Sequence, residues 1–274
     1  MTAAGVVPLS IPGGRIRYFR IDPKAAPDAA PVPSGDTGLL LHVPFDGAPA
    51  PAVARGGNTV SVTALGDDRK AVSMAGNEIY EAGIIGQAIL CGEKQSRCEY
   101  PTFGNFDITK GTIALWFRNN NWNSMDDKIH MFFNSSAKPG YFRIYKQAGS
   151  AVFVVQANVR HESGKGWGAN TTVFASVPPM PPGEWHHLAV TWDESHMAFY
   201  IDGALCARGP EAGATMAMPA TIGNTFTVGD HVERTKPGND DGEVRTLIDE
   251  LMIYGRPLTA EEVRENFSLA EGRQ

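Results

Sequence analysis

A chain of 274 residues with a net charge of −6 is long enough to form one large domain around a single core. Its 24 basic and 30 acidic residues include no basic cluster, which argues against binding to a nucleic-acid backbone. No run approaches the roughly 18 apolar residues of a membrane span. Neither nucleic acid nor a membrane is therefore expected as a partner.

The first 36 residues differ in composition from the rest of the chain. They contain six prolines among alanines and glycines, and only residues 15–21 (RIRYFRI) could pair as a strand. Because proline lacks the N–H that a β-ladder needs, we predict an extended arm over residues 1–36 and a domain over residues 37–274. The arm could wrap its own domain or lie on a neighbouring subunit. Its candidate contact residues are Arg15, Arg17, Tyr18 and Phe19.

The N-terminus shows no basic segment followed by an unbroken apolar run, because Pro8 and Pro12 interrupt its apolar stretch. Unless a signal segment has been removed, this predicts a protein that is made and kept in the cytosol, or that leaves it by a route other than secretion. Three cysteines, Cys91, Cys98 and Cys206, leave at least one thiol unpaired and make a poor disulfide framework. A bond between the first two stays open if their strands pair directly.

From residue 38 onward, short apolar runs alternate with turn residues, which predicts many strands joined by loops. Residues 183–193 (GEWHHLAVTWD) and 199–203 (FYIDG) indicate a strand, a short turn, a second strand and a hairpin turn. His186 and His187 lie on opposite faces of the first strand, so they cannot share one site. At the C-terminus, residues 259–262 (TAEE) form a capping box, which predicts a short amphipathic helix.

Several of these segments resemble, in the right order, motifs of the LamG-like jelly rolls in the concanavalin A-like lectin/glucanase superfamily. The similar segments are 41–47 (LHVPFDG), 83–89 (GIIGQAI), 111–117 (GTIALWF), 183–203 and 247–254 (LIDELMIY). The resemblance covers residues 38–267. It implies an all-β fold, an antiparallel two-sheet β-sandwich of the concanavalin A-like jelly-roll type, with the extended arm before it and the short helix after it.

The closing strand places Asp249 among apolar neighbours, whichever of its faces is buried. A buried carboxylate needs a cation or several hydrogen-bond donors. In the family that the chain resembles, this acid and one from the opening strand often help bind a structural calcium, which implies Asp46 and Asp249 as ligands here. The alternative is that backbone amides or an arginine satisfy both acids.

Catalytic chemistry is not indicated by the sequence. Glycoside hydrolases of this superfamily use carboxylates in an E-x-D-x-x-E pattern, because one acid acts as nucleophile beside a general acid. No Glu in this chain is followed two residues later by Asp. We therefore predict that the protein is not an enzyme.

A glycan site would require an exposed aromatic platform surrounded by polar side chains. Trp122 follows a run of asparagines, and Trp167 lies in the glycine-rich segment 164–168. The alternative is that these tryptophans fill the core. The candidate glycan-binding residues are Trp122, Trp167, Asn120, Asn121, Arg143 and His161.

Taken together, these features favour a non-catalytic structural or surface-display protein, with or without glycan-binding capacity. Its arm would anchor it to capsid or fibre subunits of a larger assembly, such as a decoration, cement or fibre component of a bacteriophage virion, or to further copies of itself. It would assemble in the host cytoplasm and reside in the virion. The alternative is an extracellular lectin-like module of a secreted protein that binds a cell-surface glycan.

Overall fold

The structure, a computed structural model, describes residues 6–9, 17–20, 38–65, 71–92, 96–137, 140–160, 167–211, 214–229 and 245–271. The chain divides into two units, Met1–Ser34 and Gly35–Gln274. In the first unit, β1 (Val6–Leu9) and β2 (Arg17–Arg20) pair antiparallel. The strand predicted within residues 15–21 is therefore present. β1 was not predicted because it contains a proline, which an edge strand tolerates.

The second unit consists of two antiparallel sheets, whose strands are numbered in chain order. The eight-stranded sheet contains, in spatial order, β14 (Trp167–Ser176), β13 (Val152–Arg160), β12 (Gly140–Lys146), β11 (His130–Ala137), β18 (Thr225–Val228), β9 (Arg97–Pro101), β5 (Ser61–Leu65) and β6 (Ala71–Ser73). The nine-stranded sheet contains β17 (Ala204–Gly209), β16 (Met197–Ile201), β15 (Trp185–Trp192), β10 (Gly111–Asn119), β19 (Thr246–Tyr254), β3 (Leu39–Val43) and β4 (Val53–Ala54). The remaining two strands, β7 (Tyr80–Ala82) and β8 (Gln87–Cys91), join that sheet through the pairing of β8 with β19.

The core lies between the two sheets and is rich in aromatic rings. Because side chains alternate between the faces of a strand, every second residue of the long strands points inward. The Phe117 ring of β10 lies 4.8 Å from the Phe132 ring of β11 and 5.8 Å from the Phe153 ring of β13. These contacts across the sheets confirm the predicted all-β sandwich. Within the same core, Cys91 and Cys98 are buried thiols and form no disulfide.

Helix α1 (Ala260–Glu271) packs on the outer face of the nine-stranded sheet. Small residues on that face, such as Ala114 and Ala189, leave room for the helix, and Phe267 stacks on Trp116 at a ring distance of 5.5 Å. Within the described part of the chain, no helix has both the length and the apolar character that a membrane crossing requires. The helix closes this face of the sandwich.

The two adjacent histidines of β15 occupy opposite faces of the sheet, as the sequence predicts. His187 is buried beside Trp116 and Phe267, and desolvation lowers its pKa to about 4. His186 lies on the core side, with its ring 5.7 Å from that of Phe117, and hydrogen-bonds to Asp202 through Nδ1 at 2.9 Å. Both histidines therefore belong to the packing of the sandwich.

The predicted capping box at the start of α1 is confirmed. The Thr259 amide donates to Glu262 Oε2 at 2.8 Å, and the Glu262 amide donates to Thr259 Oγ1 at 3.2 Å. Arg256 donates to both carboxylate oxygens of Glu262, and these bonds lower the pKa of Glu262 to about 2. The helix terminus is thus joined to the end of β19.

Replacing Thr259 by alanine removes the hydroxyl that caps the helix. We expect Thr259→Ala to lower the free energy of unfolding by about 1 kcal/mol, which corresponds to a decrease in Tm of about 2–4 °C. Urea and thermal unfolding measure these changes. Thr259→Ser is the matched control, since it keeps the accepting oxygen and should remain close to the wild type. Equal losses in both variants would show that the hydroxyl does not cap the helix.

Candidate functional site

Two acids that the sequence singled out flank the turn between β7 and β8. Asp249 Oδ2 accepts hydrogen bonds from the amides of Ile84 at 2.9 Å and Ile85 at 3.2 Å. Asp46 Oδ1 accepts from the amide of Gln87 at 2.8 Å. Both carboxylates therefore bind backbone amides of one short segment, as the amide alternative predicted.

The glycines of this turn have a specific steric role. A Cβ atom on Gly83 would lie 2.4 Å from Asp249 Oδ2, and a Cβ atom on Gly86 would lie 2.0 Å from Asp46 Oδ1. Gly86 also has a φ of +57°, a conformation that side chains disfavour. The glycine pair therefore permits the close approach of both carboxylates to the turn.

The contacts of Asp249 do not fit a calcium ligand. Its Oδ2 faces two N–H groups, and its Oδ1 accepts from the Glu250 amide at 2.8 Å. A calcium ligand must instead direct an oxygen at the ion, and N–H groups would repel that ion. In the part of the chain that the structure describes, no group of three or more His, Cys, Asp or Glu side chains is arranged to hold a metal. Calcium binding by Asp46 and Asp249 stays a prediction.

Asp249 is fully buried, and this changes its protonation. Burial, together with the charge of neighbouring Glu250, raises the pKa of Asp249 to about 8, although the amide hydrogen bonds oppose the rise. Glu250 is itself buried and pairs with His42, whose Nε2 lies 2.7 Å from Glu250 Oε2. Asp249, Glu250 and His42 therefore form a group of three buried titratable side chains in the nine-stranded sheet.

The prediction that Trp122 forms an exposed platform is wrong. Trp122 is only 4% exposed, its Nε1 donates to Thr246 Oγ1 at 2.9 Å, and its ring stacks on His130 at a centroid distance of 3.8 Å. The indole N–H has its partner on β19, so the ring lies inside the sandwich, as the core-filling alternative predicted. A sugar cannot stack on it.

The asparagines before Trp122 also have structural partners. Asn121 Oδ1 accepts from the Arg245 amide at 2.8 Å, and Asn120 Oδ1 accepts from Arg118 Nε at 3.0 Å. These bonds connect the end of β10 to neighbouring segments and do not form a site around Trp122.

Several predicted residues fall outside the described part of the chain. His161 and Arg15 are outside it, as are the side chains of Trp167, Arg17, Tyr18 and Phe19. Trp167 is the first residue of β14 and pairs with Arg160, whereas Arg17, Tyr18 and Phe19 belong to β2. Their proposed roles stay predictions.

Arg143 lies in a cluster of polar side chains on the outer face of the eight-stranded sheet. Its Nε donates to Asn134 Oδ1 at 3.0 Å, and its guanidinium carbon lies 4.0 Å from the centre of the Tyr141 ring. The Tyr141 hydroxyl donates to Gln156 Oε1 at 3.1 Å. We refer to Asn134, Tyr141, Arg143, Gln156 and Asn158 as the polar face.

Strand register brings the polar face together. Arg143 is opposite Asn134 on one side and Gln156 on the other, and Tyr141 is opposite Asn158. Asn158 is 2% exposed, and its Oδ1 has no hydrogen-bond partner among the described residues. The sequence analysis found only Arg143, because it searched for tryptophan. Alternation of polar side chains with core residues along β12 and β13 was the signal for the others.

The family model of the concanavalin A-like lectin/glucanases superfamily matches residues 92–264, which is more than half of the chain. A comparison with curated protein sequences gives no match. The structure is similar to a botulinum neurotoxin serotype C1 binding domain, with a TM-score of 0.59 and 13% identity over 85% of this chain. It is also similar to the binding domain of botulinum neurotoxin DC in complex with rat synaptotagmin II, with a TM-score of 0.62, 12% identity and the same coverage.

A third similar structure bears a title stating that cell entry of botulinum neurotoxin type C depends on interaction with two ganglioside molecules. Its TM-score is 0.62, with 12% identity over 85% of this chain. The match covers 51% or 52% of these three neurotoxin chains, so this chain spans about half of their length. At such low identity the similarity shows the fold alone.

The raised pKa of Asp249 predicts a pH dependence of stability. Between about pH 4 and pH 8 the folded chain holds a proton on Asp249 that the unfolded chain has released, so the free energy of unfolding falls as pH rises. One such group contributes at most about 1.4 kcal/mol per pH unit. We expect Asp249→Asn to remove this contribution and to flatten the profile, measured by urea unfolding from pH 5 to pH 8.5.

Equal pH slopes in the wild type and in Asp249→Asn would contradict this prediction. The same unfolding experiments with calcium and with a chelator also test the proposed metal. Since the amides already hold Asp249, we expect both conditions to give the same Tm. A calcium-dependent rise that Asp249→Asn abolishes would instead show that Asp249 is a calcium ligand.

Proposed function

Because the chain belongs to the concanavalin A-like lectin/glucanases superfamily, we propose that it is a carbohydrate-binding protein that holds its glycan on the polar face. The observation that carries this proposal is the position of Arg143, which lies against the Tyr141 ring and donates to Asn134. Arg143 and Gln156 are the partly exposed members of the polar face, and their guanidinium and amide groups offer hydrogen bonds that a sugar requires. Asn134, Tyr141 and Asn158 are buried, and the first two hold the partly exposed pair in place.

The chemistry of these groups fits glycan recognition. A guanidinium group donates several hydrogen bonds in a fixed plane, which suits a carboxylate or a pair of hydroxyls. Gln156 is partly exposed and adds a side-chain amide that both donates and accepts. The ring contact and the bond to Asn134 hold Arg143 in place, which reduces the conformational entropy lost on binding.

The same face supports binding without hydrolysis. Glycosidases place two carboxyl groups about 5–10 Å apart across the scissile bond. Within their described residues, the eight strands of this sheet contain one acidic residue, Glu99. We therefore propose a non-catalytic protein, consistent with the binding domains that it resembles.

The titles of similar structures support a cell-surface glycan as the ligand class. One names gangliosides for botulinum neurotoxin type C. Because about half of each neurotoxin chain has no counterpart here, the unmatched half could carry that binding. The proposal for this chain therefore depends on its own polar face, and it places the protein where it meets cell-surface glycans, on a virion or outside the cell.

We also propose the assembly function, in which the N-terminal arm attaches the domain to subunits of a larger particle such as a virion. The supporting observation is that β1 and β2 pair with each other as a two-stranded sheet. An isolated two-stranded ribbon is at best marginally stable in water. It would gain stability by binding a partner subunit.

The glycan proposal predicts a loss of affinity when Arg143 is truncated. A glycan array of the full chain, followed by calorimetric titration of the best ligand, measures the affinity. We expect Arg143→Ala to weaken binding by about tenfold or more, because hydrogen bonds to a charged group are lost. Arg264→Ala removes an exposed arginine from the helix and is the matched control. An array without hits, or equal affinities in both variants, would contradict the proposal.

The assembly proposal predicts that a protease cuts the arm of the purified full chain while the domain stays intact and monomeric. Mass spectrometry of the fragments and measurement of the oligomeric mass test this, with a chain that starts at Thr37 as the reference for the intact domain. Protection of residues 1–36 in a lone monomer would argue against attachment to a partner.

A further inference from the structure

A second candidate ligand site lies in a groove that shares no residue with the polar face. The groove is bordered by the loop after β9, by the segment before β18 and by β3. Its volume is about 680 Å³, within the range of small-molecule sites. Its principal lining residues are Leu40, Thr102, Phe103, Phe106, Asp107 and Asn224. We refer to it as the Phe103 groove.

Phe103 exposes its ring almost completely, although its loop is held firmly. The residue is 90% exposed, whereas Asn105, two positions later, is fully buried. Asn105 Nδ2 donates to the carbonyls of Gly57 at 2.7 Å and Pro101 at 3.1 Å, and its Oδ1 accepts from the Gly56 amide at 2.8 Å. One buried amide side chain therefore fixes the loop that presents the ring.

Glycines allow this loop to pack closely against a neighbouring segment. A Cβ atom on Gly56 would lie 1.8 Å from the Phe103 carbonyl oxygen, and Gly104 has a φ of +77°. The backbone on both sides of the ring is thus constrained. Because the backbone is already ordered, only the two side-chain torsions of Phe103 remain to be fixed when the ring binds a ligand.

The groove combines apolar walls with two polar side chains. Leu40 and Phe106 contribute apolar surface, and Asp107 and Asn224 contribute a carboxylate and an amide. Thr102 also borders the groove, but its hydroxyl oxygen is buried and not open to a ligand.

We propose that the Phe103 groove is a second sugar site, which binds one uncharged sugar ring with its C–H face on Phe103 and its hydroxyls towards Asn224 and Asp107. The ligand class rests on the proposed function. The mixed lining favours a sugar over a lipid, because a lipid would remove the Asp107 carboxylate from water, and within the described residues only its Oδ1 accepts hydrogen bonds, from Thr109. That carboxylate also disfavours acidic sugars, whereas Arg143 favours them on the polar face. The two sites therefore differ in charge preference.

Saturation-transfer NMR on the full chain tests this inference. The uncharged probes are the methyl glycosides of glucose, galactose and N-acetylglucosamine, and the anionic probe is N-acetylneuraminic acid. We expect at least one uncharged probe to be saturated on one ring face and to lose most of its signal in Phe103→Ala. Leu205→Ala, which truncates another exposed apolar side chain, should leave that signal unchanged.

The outcomes separate this inference from the proposed function. If no uncharged probe depends on Phe103 while the array ligand still binds through Arg143, the groove inference fails and the proposed function stands. If the anionic probe depends on Phe103 as strongly as the uncharged ones, the charge preference is overturned. A Phe103-dependent uncharged probe together with a silent array supports the groove and argues against the polar face. Because Phe103 is exposed, its truncation should leave Tm unchanged.

Discussion

The nine-stranded sheet depends on one strand, β19, which pairs with β10 on one side and with both β3 and β8 on the other. Its Asp249 also accepts the amides of the turn that precedes β8, so the end of the chain fixes a segment about 165 residues earlier. This arrangement closes the sheet with long-range contacts, which are costly in chain entropy before they form. This connection buries the carboxylate of Asp249, and the burial raises its pKa.

The two outer faces of the sandwich have different roles because only one of them receives the helix. On the nine-stranded sheet, alanines make space for α1, and His187 stays neutral beneath it. On the eight-stranded sheet, the outward positions of β11 to β13 carry amides, a tyrosine and an arginine. Of the polar face, Arg143 and Gln156 are partly exposed, and the other three members are buried. Ligand binding at the polar face would therefore depend on Arg143 and Gln156.

The sequence predicted the strands and the capping box because both follow from local patterns, whereas the two-sheet sandwich was implied by the resemblance to the LamG-like jelly rolls. Alternation along a strand and a Thr–Glu pair three residues apart require no knowledge of distant partners. Trp122 was predicted wrongly because its environment depends on Thr246, which is 124 residues away in the chain. The polar face likewise arises from register between strands, and a single chain does not reveal which outward residues meet. Arg143 was recognised, but its neighbours required the pairing of β12 with β11 and β13.

Buried polar side chains explain how this fold presents functional groups on its surface. Asn105 fixes the loop of Phe103 by three hydrogen bonds, and Asn119 fixes the loop of Trp122 by donating to its carbonyl at 2.7 Å. One loop places its aromatic ring in solvent and the other places its ring in the core. Anchoring by a buried amide is therefore compatible with either placement of the ring, and residue type does not decide between them. For that reason a search restricted to tryptophans found a core residue and missed the exposed phenylalanine.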